Sequence, residues 1–247
     1  EVSTNLRRVF RLQEQLKALG KPDDRDSTQI NQPHWKPRRV HVVGAGVMGG
    51  DIAAWCALSG LEVTLQDREI DYVEVAIKRA EKLFNKKLRT RALVTAAKSR
   101  LIADVAGNGI ARADIIIEAI FENLNAKQKL FIDIEQKAPL GAVLATNTSA
   151  IPLAEIASGL QQPNRLIGLH FFNPVAKMPL VEVVRDDHTA ESIIKKGCIF
   201  TNLIRKYPLP VKSAPGFLVN RVLAPYMLEA LNLEEEGHSI TTIDEAA

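Results

Sequence analysis

Two side chains able to exchange a proton stand twelve residues apart, His170 in RLIGLHFFNP and Glu182 in LVEVV. His170 ends an apolar, β-prone run stopped by Asn173 and Pro174, which reads as a buried strand. Glu182 lies among valines on the next expected strand, where a carboxylate without a partner is costly. An imidazole on the neighbouring strand would be that partner. The carboxylate would fix the ring's tautomer and stabilise its cation. A histidine held this way can take a hydroxyl proton as general base, which beside a nicotinamide suits the oxidation of an alcohol. A purely structural pair would satisfy the same two groups. The remaining histidines, His34, His41, His188 and His238, fall in linker, strand or helix-edge segments and read as surface or satisfied core residues.

A second constellation precedes the pair. VVGAGVMGG places G-x-G-x-x-G at Gly44, Gly46 and Gly49, with Val47 and Met48 inside the loop. It follows a strand-like run and opens a helix-like one, the context the motif requires. Gly44 makes the turn, Gly46 lets the backbone approach a pyrophosphate, and Gly49 lets helix and strand pack closely. The free N–H groups of the helix then face the phosphates. Asp67 closes the next strand 18 residues after Gly49. Its carboxylate can accept the ribose hydroxyls of an adenosine and would repel a 2′-phosphate, which favours NAD over NADP. Arg68 pulls weakly the other way. The alternative for Asp67 is a cap on the following helix.

The elements around these residues alternate. Strands are expected at 38–44, 61–67, 113–120, 141–149, 165–172, 180–185 and 209–213. Helices are expected at 48–60, 123–138, 152–160 and 189–206, with a helical hairpin over 69–100. Alternation of this kind makes an α/β fold, Rossmann-like and doubly wound, with a mainly parallel sheet covered on both faces. Residues 1–37 read as an amphipathic helix over 5–19, ended by Gly20, and a proline-rich linker. Residues 38–213 form the nucleotide-binding domain. Residues 214–247 read as the start of an all-helical C-terminal domain.

Composition sets limits. Of 247 residues, 46% are apolar and 25% charged, with a net charge of +3. That is enough apolar residue for a real core and too little basic excess for a nucleic-acid binder. No apolar run reaches the roughly 18 residues of a membrane span. Cys56 and Cys198 are not at metal-binding spacing, so no metal is expected, and they read as reduced thiols of a cytoplasmic protein. The chain begins with glutamate, and the expectation is that it is an internal segment of a longer protein.

GAGVMGGDIAA, Asp67, IIEAIFENL, TNTSAIPL, GLHFFNPVAKMPLVEVV and PGFLVNRVLAPY occur in this order. Together they resemble the L-3-hydroxyacyl-CoA dehydrogenase family over residues 38 to 247. The resemblance implies NAD as cofactor and a coenzyme A thioester as substrate. The implied reaction is oxidation of (S)-3-hydroxyacyl-CoA to 3-ketoacyl-CoA in fatty-acid β-oxidation. It makes His170 the base, Glu182 its partner, Ser149 a donor to the substrate's 3-oxygen, and Asn220 a residue holding substrate and histidine in place. Glu122, Lys127 and Asn173 match positions lining the ribose and nicotinamide, and Asn147 of the same TNTS segment is counted with them. The basic stretch with Lys78, Arg79, Lys82, Lys86 and Lys87 reads either as a solvated face or as a contact for the coenzyme A phosphates, with Lys82 the candidate.

Two departures stand out. Asp51 occupies a position near the pyrophosphate where the family often has glycine, and its charge disfavours phosphates unless it points away. The family's helical domain, which closes over the acyl chain and mediates dimerisation, continues past residue 247. The N-terminal helix and linker resemble the connector that follows an enoyl-CoA hydratase domain in bifunctional fatty-acid oxidation proteins. Competing readings are a lysine-dependent dehydrogenase of a small 3-hydroxy acid, a non-catalytic NAD-binding structural protein, and an interaction module using the N-terminal helix.

Overall fold

The computed structural model describes residues 2–19 and 35–246. Gly20, His34 and most of the expected proline-rich linker lie outside the described residues. The chain order is α1 (Val2–Ala18), β1 (Arg39–Val43), α2 (Val47–Leu58), β2 (Glu62–Gln66), α3 (Ile70–Lys87), α4 (Arg91–Arg100) and β3 (Leu101–Ala103). It continues with β4 (Ile115–Glu118), α5 (Leu124–Lys137), β5 (Val143–Thr146), α6 (Leu153–Ala157) and β6 (Leu166–Phe171). Then come β7 (Leu180–Arg185), α7 (Glu191–Leu203), β8 (Tyr207–Lys212), α8 (Val219–Glu235) and α9 (Ile240–Ala246).

The strands form one eight-stranded sheet in the order β3-β2-β1-β4-β5-β6-β7-β8. The first six run parallel, as expected of a doubly wound fold, and the reversal of order beside β1 creates a crevice between β1 and β4. β7 turns antiparallel to β6, and β8 runs parallel to β7.

Strand side chains alternate between two apolar layers. Val42, Ile117 and Ala145 face the layer built by α2, α3 and α7, whereas Val43, Ile116 and Leu144 face the layer of α5 and α6. His41 is a satisfied core histidine: Nδ1 lies 2.8 Å from Thr64 Oγ1 and Nε2 2.9 Å from Gln66 Oε1. Burial pulls its pKa below the ordinary value.

Two elements depart from the expected set. The three-residue β3 is too short to leave a periodic signature, and it is defined by pairing with β2 alone. α9 follows Gly237, whose φ of 95° ends α8. The exposed apolar residues of α8, among them Val222, Tyr226, Leu228 and Leu231, contrast with the covered helices of the sheet. α1 keeps Leu6 and Phe10 exposed, while its end meets α7 and β8: Asn202 Nδ2 donates to Lys17 O at 3.0 Å, and Lys17 Nζ lies 5.6 Å from the Tyr207 ring centroid.

Two glycines of the turn from β1 into α2 leave no room for a larger residue. Gly44 has φ of 106°, and a Cβ there would lie 2.5 Å from Ala119 O. A Cβ on Gly49 would lie 1.9 Å from Gly44 O. Gly49→Ala must therefore push α2 off the strand, at a cost of about 1–3 kcal/mol. The expected outcome is a melting midpoint lower by roughly 3–10 °C in thermal unfolding, together with weakened NADH binding.

Candidate active site

The polar residues singled out in the sequence gather along one edge of the sheet, where the parallel strands end. Gly44 follows β1, Asp67 follows β2, Glu122 follows β4, Asn147 and Ser149 follow β5, and His170 is the penultimate residue of β6. α2 starts at Val47, so the N–H groups of Val47, Met48 and Gly49 have no partner within the helix; the first bond is Gly50 N to Gly46 O, at 3.0 Å. A Cβ on Gly46 would meet nothing within 4 Å. The open side of that loop and the free N–H groups make a cradle suited to a pyrophosphate.

Beside it lies a cavity of about 470 Å³ lined by Gly44, Gly46, Asp67, Arg68, Tyr72 and Ile120, among others. It suits an adenosine and does not extend to His170. Asp67 Oδ2 accepts from Ala45 N at 2.7 Å and Oδ1 from Arg68 N at 2.7 Å. The carboxylate thus braces the glycine loop at the cavity's rim. It does not cap α3, whose flanking residue Glu69 makes no side-chain cap either.

A buried ion network lies under the middle of the crevice. Lys127, 1% exposed, sits 2.6 Å from Glu118 Oε1 and 3.2 Å from Glu122 Oε2. Glu118 also accepts from Thr146 Oγ1 at 2.6 Å and Ile120 N at 2.8 Å, so its buried charge is fully engaged. Glu122 accepts from the Thr148 hydroxyl, and from Ser149 N at 2.9 Å. Burial pushes the Glu122 carboxyl upward, but those bonds and the nearby ammonium outweigh it and hold it below the usual range. Lys127 therefore acts on the crevice through Glu122 rather than by lining it. Ser149 is exposed, with Oγ 3.4 Å from Glu122 Oε1. Asn147 Oδ1 accepts from Phe171 N at 2.9 Å and ties the ends of β5 and β6 together. Glu118 was not singled out from sequence; the only signal was an acidic residue ending an isoleucine run.

The antiparallel pairing of β6 and β7 puts His170 directly opposite Glu182. His170 Nδ1 lies 2.7 Å from Glu182 Oε2. Glu182 is 0% exposed, and its other oxygen accepts from Leu218 N at 3.0 Å and Val219 N at 2.9 Å, the amides of the residue that precedes α8 and of its first residue. Burial alone would raise the Glu182 pKa, yet the His170 bond and the two amide bonds hold it below the usual carboxylate range. Because an ionised carboxylate only accepts, Nδ1 is the donor, and in the neutral ring the lone pair is on Nε2. Nε2 makes no hydrogen bond among the described residues. The ring is packed by Phe172, with centroids 4.6 Å apart, and by Phe217, 5.5 Å away. Phe217 takes a left-handed φ of 50° after Gly216 at 76°, a strained bend that swings the chain into α8 against the histidine.

Asn220 follows in the first turn of α8, half-buried, with no side-chain hydrogen bond to the described residues. Asn173 is exposed in the loop after β6. That loop is pinned from below by Lys206, whose Nζ donates to Val175 O and Met178 O at 2.6 Å each and lies 4.5 Å from the Trp55 ring centroid. Burial lowers the Lys206 pKa to about 8. Of the basic stretch on α3, Lys78 pairs with Glu74 at 3.8 Å, and Lys82 lines a groove with Asp51, Arg79 and Ala176. No cluster of metal-ligating residues occurs among the described residues.

Residues 39–214 match the family model described as 3-hydroxyacyl-CoA dehydrogenase, NAD binding domain, and residues 216–247 match the model for its C-terminal domain. The 3-hydroxybutyryl-CoA dehydrogenase of Escherichia coli K12 is 36% identical, with a TM-score of 0.80; the match covers 83% of this chain and 44% of that one. FadB2 of M. tuberculosis is 32% identical, with a TM-score of 0.80, over 84% of this chain and 75% of that one. The dehydrogenase part of multifunctional enzyme 1 from C. elegans is 25% identical, with a TM-score of 0.68, over 94% of this chain and 56% of that one. This chain thus spans less than half the length of the E. coli protein. An NAD-binding fold with these motifs in this order, matched along nearly its whole sheet, identifies the chain as a member of the 3-hydroxyacyl-CoA dehydrogenase family.

Proposed function

We propose that this chain carries out NAD-dependent oxidation of (S)-3-hydroxyacyl-CoA to 3-ketoacyl-CoA in fatty-acid β-oxidation. The observation that carries the reading is the 2.7 Å contact of His170 Nδ1 with Glu182, which leaves Nε2 as a free base at the crevice edge. NAD, when bound, supplies the hydride acceptor. His170 takes the hydroxyl proton at Nε2, and Glu182 stabilises the resulting imidazolium. Ser149 and Asn220 donate to the 3-oxygen, holding it against His170 and polarising it in the reverse direction. Glu122, Asn147 and Asn173 contact the ribose and nicotinamide, with Lys127 holding Glu122 in place. Lys82 faces the coenzyme A phosphates from its groove.

In the same reading, residues 38–213 bind the cofactor and 214–247 belong to a helical domain that covers the acyl chain. The exposed apolar residues of α8 suit helical packing and dimerisation there. Residues 1–37 connect the dehydrogenase to an enoyl-CoA hydratase domain. The match to the dehydrogenase part of the C. elegans multifunctional enzyme covers more of the chain than residues 38–247 alone can supply, so it extends into this N-terminal segment. Buried free thiols at Cys56 and Cys198 suit a reducing cytoplasm.

Four outcomes are expected of the full-length parent protein. Turnover of 3-hydroxyacyl-CoA esters with NAD should far exceed turnover of the free 3-hydroxy acids; equal rates would favour a small-acid dehydrogenase. His170→Gln should lower kcat by about 10²–10⁴-fold while NADH affinity stays nearly unchanged. Equal loss of both would make the histidine structural. Glu182→Gln should also depress kcat strongly. It should further flatten acid denaturation. A carboxyl with a lowered folded pKa gives stability that is complete above its unfolded value near 4.5 and is lost as pH falls through the folded one. Circular-dichroism titration from neutral pH downward, wild type against variant, reads that difference.

A further inference from the structure

Asp51 is an anomaly at an anion site. The free amides at the start of α2 favour negative charge, and a carboxylate in the second turn of the same helix opposes it. The neighbouring helix responds to that charge. Arg79 of α3 brings Nε to 3.5 Å from Asp51 Oδ1. Its Nη2 donates to Gly46 O at 2.9 Å. The guanidinium is therefore bonded to the glycine whose open side faces the pyrophosphate site.

Two further observations show that this position is built rather than incidental. A Cβ on Gly50 would lie 2.6 Å from Arg79 Nη2 and 2.8 Å from Ala76 Cβ, so the helix keeps a glycine where the guanidinium passes. Arg79 Nε is buried and lacks a hydrogen-bond partner, because the Asp51 contact is an ion pair without hydrogen-bond alignment. The arginine stays in place by charge and by its bond to the loop. Both side chains are about one-third exposed, 34% and 33%, so solvent weakens the pair without abolishing it.

We propose that Arg79 is a cofactor-affinity determinant, a positioning residue that fixes the glycine loop through the Gly46 carbonyl and cancels the charge of Asp51 beside the pyrophosphate. The proposal rests on NAD binding at this loop. It separates Arg79 from the other cations of α3: Lys78 is paired along its own helix, and Lys82, Lys86 and Lys87 are exposed.

A double-mutant cycle tests it, with NADH affinity measured by fluorescence titration and adenosine affinity by competition, on the full chain. Arg79→Met should weaken NADH roughly three- to thirty-fold, since it leaves an uncancelled carboxylate at the anion site. In an Asp51→Asn background the same substitution should cost at least threefold less. Arg79→Lys, which keeps the charge, should retain most of the affinity. Adenosine, which lacks the phosphates, should bind all the variants alike, and the difference between NADH affinities should shrink as salt is raised. An Arg79→Met loss of equal size in both backgrounds, or an equal loss for adenosine, would overturn the proposal. Failure of the wild type to bind NADH would instead overturn the NAD reading on which it rests.

Discussion

One buried carboxylate joins the two halves of this site. Glu182 has no contact with solvent, and an unpaired charge there would be untenable. Each of its oxygens is engaged differently. Oε2 takes His170 Nδ1, and Oε1 takes the amides of Leu218 and Val219 at the entry of α8. The first bond sets which nitrogen of the imidazole is basic. The second anchors the helix that carries Asn220. Moving either partner would strand the charge, so the sheet and the helical segment are held in one geometry by a single group.

The same logic repeats beneath the crevice. Glu118, Lys127 and Glu122 form an acid–base–acid chain in which the ammonium is shared. The buried end is locked to β5 through Thr146, and the outer end holds the Ser149 amide. Both networks begin on strands and finish where the chain leaves the sheet, at the start of α8 in one case and at the loop after β5 in the other. This gives loops, which are otherwise the more variable parts of a fold, the placement of the sheet itself.

Legibility followed the range of the interaction. The placement of the glycine loop and Asp67 on one cavity could be read because it depends on local backbone geometry and a short spacing. The partnership of His170 and Glu182 could be read because burial makes a lone glutamate improbable, and one adjacent strand offered an imidazole. β3 could not be read, since three residues carry no period and its identity comes from the edge of β2. Glu118 and Arg79 could not be read either. Their partners lie on other elements, Lys127 on α5 and Asp51 on α2, and only packing decides which of many charged residues face one another. Asp67 shows the reverse case. Its helix-capping alternative was sound locally, but the carboxylate is claimed by Ala45 from across the turn.

Two helix N-termini point into this region, and they are used in opposite ways. The start of α2 is left open, with free amides and a glycine whose missing side chain keeps the space clear. The start of α8 is filled by the resident carboxylate of Glu182. An open second terminus would attract anionic groups of a ligand in competition with the first. Filling it from within leaves one favoured place for the phosphates. The same carboxylate orients the His170 ring through its other oxygen. The occupation of α8's start follows from one topological event, the reversal of β7, which carries Glu182 back alongside β6.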